Sequence, residues 1–95
     1  KPPANVIVAV FHPEEWGDLR KYCGDLPETY EEWLAGVRHG LAEMEIPYEQ
    51  AIKIIVTADQ LRRLYEARKR SLTVKDRTRL AHRLHLEMRL IGTRH

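Results

Sequence analysis

His82 and His85 stand three residues apart and form the only spacing in this chain that suggests a metal pair. On a helix they would lie about 60° apart and could share an ion, yet a zinc site needs further nitrogen, sulfur or oxygen ligands. Glu87 falls about 160° round such a helix from His85 and cannot join them. His95 stands at the end of the chain. No metal is expected.

Nucleophilic or acid–base chemistry would have to draw on Cys23, His12, His39 or the carboxylates Glu14, Glu15, Glu31 and Glu32. Cys23 shares an apolar helical face with Trp16 and Leu19, which reads as a small core residue and not as a reactive thiolate. His12 precedes Pro13 at a strand-to-helix junction, a position equally suited to a helix cap. The paired acids stand at helix starts, where the positive end of the helix dipole accounts for them. The chain has no glycine-rich phosphate loop, no Gly-x-Ser-x-Gly elbow and no cysteine pair. A non-catalytic protein without a cofactor is therefore expected. The further alternative is a small enzyme of unknown reaction, which would need a pocket where His12 meets Cys23 or a carboxylate.

Charge is more informative. Residues 1–59 hold five Lys and Arg against eleven Asp and Glu, and residues 60–95 hold eleven against three. The formal +2 of the chain thus divides into −6 and +8. Such a split suits a nucleic-acid surface, an anionic partner, head-to-tail self-association, or two halves that attract each other within the fold. A helix from Asp59, a break at Ser71–Thr73 and a helix from Val74 have helix-turn-helix proportions, with Lys75, Arg77 and Arg79 near the start of the second helix. Arg62, Arg63, Arg68, Lys69 and Arg70 add a basic flank for phosphates. These residues define a nucleic-acid alternative. Against it, the break lacks glycine, Asp76 interrupts the set, and no Asn or Gln follows to read adenine.

The last helix has two faces. Leu80, Leu84, Met88 and Ile91 fall within an arc of about 80° and read as its core stripe. Leu86 and Leu90 fall on the far side, among Arg79 and Arg83. Two leucines one turn apart, widened by arginine stems, read as a protein interface made of Arg79, Arg83, Leu86 and Leu90. The repeated Glu-Glu-Trp at 14–16 and 31–33 puts an interface-type anchor on each of two helices, but both tryptophans fall on apolar stripes and read as core.

The elements that must position these residues follow from patterning. Val6–Phe11 is a short β-branched run that reads as a buried strand. Pro13 opens a helix carrying Trp16, Leu19 and Cys23, with Gly24 expected to end it in the left-handed conformation. A longer helix over about Glu28 to Glu45 carries Tyr30, Trp33, Leu34, Val37, Leu41 and Met44 on one stripe, with Thr29 and Glu32 as a capping box. Its Gly36 and Gly40 each cost about 1 kcal/mol relative to Ala and are expected to admit a neighbouring element closely. Pro47 closes the segment. Ile52–Val56 is a second strand, Thr57 and Gln60 a second capping box, and Leu61, Leu64, Tyr65 and Arg68 the inner or rim positions of the next helix. The last helix runs from about Val74 to Ile91, ending near Gly92.

A shift of 45 residues aligns Phe11–Trp16 with Val56–Leu61. A shift of 47 aligns Trp33, Val37, Leu41 and Met44 with Leu80, Leu84, Met88 and Ile91. The expected fold is one helix-rich α/β (α+β) domain over residues 1–95, with two short strands and about four helices in a repeated β-α-α arrangement. Two strands leave two open edges, so a homodimer is expected to extend the sheet or bury an apolar helix face. The single cysteine excludes an internal disulfide and suits a reducing compartment. The longest apolar run is six residues, against about 20 for a bilayer span, and the N-terminus lacks the apolar stretch of a signal peptide. A cytoplasmic binding or adaptor protein with no membrane partner is the resulting expectation.

Overall fold

The computed structural model describes residues 6–92. His95 lies outside them. Strand β1 (Ile7–Val10) leads through a 3-10 turn (Pro13–Glu15) into α1 (Trp16–Tyr22), followed by α2 (Tyr30–Glu43). A second 3-10 turn (Tyr48–Gln50) leads into β2 (Ile52–Ile55), then α3 (Ala58–Arg68) and α4 (Val74–Gly92). The chain is thus a β-α-α unit used twice. Its two strands pair in parallel, Ile7 opposite Ile52 and Val10 opposite Ile55. Parallel pairing suits strands that are apolar on both faces and joined by helical crossovers.

Both capping boxes form. Thr29 Oγ1 accepts the Glu32 N–H at 3.1 Å while Glu32 returns a carboxylate oxygen to the Thr29 N–H, and Thr57 and Gln60 repeat the arrangement on α3. The two units also touch at this point: the Glu15 carboxylate accepts the Ala58 N–H at 3.0 Å, supplying an orphan donor of α3 with a partner.

The main core gathers Phe11, Trp16, Leu19, Cys23, Trp33, Ile54, Val56, Leu61, Leu72 and Leu80. Phe11, Trp16, Tyr30 and Trp33 form an aromatic knot with neighbouring rings 5.0–6.1 Å apart, and the Trp16 indole N–H donates to the Pro27 carbonyl. A smaller cluster of Leu41, Ile46 and Ala51 packs with Val6 and Val8. Alternate side chains of a strand point to opposite faces, so α2 closes the Val6 and Val8 side. Ile7, Ala9 and Ile54 face the main core, which α4 covers with Leu80 and Ala81.

Four expectations need correction. Gly24 is not left-handed: α1 ends with Cys23 in an extended conformation, and Gly24 donates its N–H to Ser71 Oγ at 2.8 Å. A Cβ there would sit 2.9 Å from that oxygen, so the glycine serves a close approach. Conversely, among the described residues nothing lies within 4 Å of a Cβ built on Gly36 or Gly40, so no described element approaches them closely. The positive φ values fall instead on Glu45 and Lys69, after α2 and α3. At Glu45 the Ile46 N–H returns to the Leu41 carbonyl and the Ile46 side chain buries beside Leu41, which offsets the left-handed backbone. Met44 is consequently more than half exposed instead of completing the α2 stripe. Met88 and Ile91, expected in the core, are exposed as well.

Candidate functional site

α4 is fixed at its first turn and bare at its last. At the start, Asp76 is 3% exposed and binds Arg70 through both oxygens, at 2.9 and 3.1 Å, while accepting the Thr73 N–H and hydroxyl. The Arg70 guanidinium, followed by the Thr73 backbone bond, holds this carboxyl well below the ordinary carboxylate range. Asp25, in the loop after α1, accepts the Val74 N–H at 2.9 Å and the buried Arg77 guanidinium at 2.6 Å. The Leu72 N–H donates to the Tyr22 carbonyl, and Leu72 is fully buried. The α3–α4 turn is thereby riveted to the end of α1.

From there α4 crosses the sheet. Val74, Arg77 and Thr78 border a recess with Val6–Ala9 at the β1 edge, and Leu84, Met88 and Ile91 border another with Lys53–Ile55 at the β2 edge. Nineteen residues make a helix of about 28 Å, while neighbouring strands lie only about 5 Å apart. The helix therefore overruns the sheet. Beyond Leu84, four large apolar side chains are more than half exposed: Leu86 at 58%, Met88 at 60%, Leu90 at 58% and Ile91 at 70%. On a helical wheel they span an arc of about 200°.

Of the interface residues read from the sequence, Leu86 and Leu90 lie outside the core, and Arg79 and Arg83 are exposed beside them. Lys75, Arg79, Arg83 and Arg89 have no ion-pair partner among the described residues. The eight residues of the nucleic-acid alternative fare differently. Arg62 and Arg63 engage Asp59, Arg62 also reaches Glu66, Arg70 and, at 3.7 Å, Arg68 face Asp76, and Arg77 is buried on Asp25. Lys69, which takes the left-handed cap of α3, Lys75 and Arg79 are the three without ion pairs. Among the described residues, Arg77–Asp25 is the only ion pair linking the acidic first stretch to the basic second one beyond sequence neighbours. The split of charge is thus largely left uncompensated within the fold.

Burial pushes the Cys23 thiol up, which keeps it protonated at neutral pH and a poor nucleophile. No group of three His, Cys, Asp or Glu side chains among the described residues is placed to hold a metal ion, and His82 is exposed without a third ligand. No helix of the described residues is long and apolar enough to cross a membrane.

Two parts of the site escaped the sequence reading. Asp25 gave no signal, since an acid before Leu-Pro reads as ordinary loop. The exposure of Met88 and Ile91 did have one: a 19-residue helix over a two-strand sheet must overhang it. No protein-family model, curated protein or solved structure matches the chain.

Proposed function

We propose that this protein is a small non-catalytic binding module that docks an acidic, amphipathic helix of a partner protein along the outer face of α4. The observation that carries the reading is the exposure of Leu86, at 58%, on the outer face of α4 beside Arg79 and Arg83. On the outer face, Leu86 and Leu90 supply the apolar contact, and the unpaired Arg79 and Arg83 favour carboxylates flanking the partner's own apolar stripe. The basic excess that the fold leaves uncompensated favours the same sign of partner. A lone buried cysteine suits a reducing cytoplasm, where we place the protein.

Nucleic acid is the second reading, resting on Lys69, Lys75 and Arg79. Three phosphate contacts would give a logarithmic salt slope of about −3 on duplex DNA.

The test is a titration of a labelled synthetic amphipathic helix with leucines on one face and glutamates on both flanks, beside a lysine-flanked version and a 20-base-pair duplex. The acidic peptide is expected to bind, to weaken with salt, and to lose at least about tenfold in affinity on Leu86→Glu, a change of about 1.4 kcal/mol. Equal binding of the two peptides, or binding of the duplex alone, would overturn the reading.

A further inference from the structure

The other side of the same helix end leads to a different partner. Leu80, Leu84, Met88 and Ile91 form one continuous stripe, of which the chain's own body covers the first two and leaves the last two bare. Met88 and Ile91 overhang the open edge of β2, where Ile55 is 53% exposed. The Ile52 and Val56 N–H groups donate to the Val6 and Val10 carbonyls. In a parallel ladder this alternation turns the N–H and C=O of Lys53 and Ile55 away from β1, toward the open side. An unpaired strand edge and a bare core-type helix stripe therefore border one recess.

We infer that a second copy of this chain pairs across the β2 edge, each protomer's α4 covering Met88 and Ile91 of the other. Charge decides the occupant. The recess is bordered by one acid, Glu87, and one base, Lys53, whose ammonium is held by the Tyr48 and Ala51 carbonyls, and so does not repel its own copy. The outer face presents Arg79 and Arg83 without an acid, and two such faces would repel each other. A two-fold axis perpendicular to the sheet, midway between the Ile54 residues of the two copies, sets the two β2 strands antiparallel with Lys53 of one opposite Ile55 of the other. The outward backbone groups then bond in pairs, giving a four-stranded sheet in the order β1-β2-β2-β1. The β1 edge is less open: α2 flanks it with Val37 and Leu41, and α4 with Val74 and Thr78. The interface is separate from the acidic-helix site, and either can hold without the other.

Sedimentation equilibrium between 1 and 200 µM tests it. The wild-type chain of 11.2 kDa is expected to approach twice that mass, and its Lys53 and Ile55 amides to exchange more slowly at the higher concentration. Met88→Glu and Ile55→Lys are expected to give monomers with unchanged circular dichroism, while Leu86→Glu remains a dimer. A wild-type monomer at 200 µM, a dimer that survives both substitutions, or loss of the dimer in Leu86→Glu would overturn the inference. Exchange at Lys53 and Ile55 that ignores concentration would do so without any substitution. Binding of the acidic peptide by the Met88→Glu monomer separates the two interfaces.

Discussion

The two ends of α4 are built to opposite specifications. Its first turn buries charge: Asp76 and Arg77 are nearly inaccessible, each satisfied by a named partner, and Leu72 just before them is fully covered. Its last two turns expose grease, with four large apolar side chains past Leu84 each more than half exposed among the described residues. A buried, satisfied charge fixes a helix in place, because leaving either partner alone costs several kcal/mol. An apolar arc that is more than half exposed contributes little to the isolated fold. The contrast teaches that the front of α4 holds the structure together and its end is available for contact.

Substitutions at the anchored end should have the largest effects. Leu72→Ala removes a fully buried side chain where α3, α4 and α1 meet, and should cost about 3 kcal/mol in urea unfolding, within the usual range for core leucines. Asp76→Asn should cost about 2 kcal/mol, less than a fully buried pair because half of the Arg70 side chain reaches solvent. The same pair sets a pH dependence. Its carboxyl is depressed in the folded state, so its stabilisation is complete above about pH 4, near the unfolded value, and is lost as pH falls below that. Unfolding free energies measured from pH 6 to 2.5 should fall in the acid range for the wild type and more shallowly for Asp76→Asn.

At the middle of the scale, Gly36→Ala and Gly40→Ala should each stabilise the protein by up to about 1 kcal/mol, since open space awaits both methyl groups. Destabilisation by either would show that something seats against α2 in solution. Smallest of all, Leu86→Glu should shift stability by no more than about 0.5 kcal/mol, as expected of an exposed side chain. A large loss there would erase the distinction between the two ends.

Much of the framework is legible in the residues because it is set locally. Thr29 with Glu32 and Thr57 with Gln60 announce their helices through side chains that reach only three residues. Trp16, Trp33 and Cys23 declare themselves core by falling on apolar stripes. Periodicity, however, reports which face of a helix is apolar and not where the body beneath it stops. Met88 and Ile91 therefore read as core until the narrowness of the sheet is taken into account. Gly24 and Asp25 failed to show for a related reason: their partners, Ser71 and Arg77, lie about fifty residues away. The nucleic-acid set lost members in the same way, since a count of arginines does not reveal which of them already hold a carboxylate.

The most direct test of the bare end of α4 as a docking surface is a map of backbone amide shifts while the glutamate-flanked peptide is titrated into the labelled protein. Changes are expected to cluster on residues 79–91 and to leave the Asp25 and Asp76 anchor unmoved. Shifts centred on β1 or α2, or none at saturating peptide, would contradict the account.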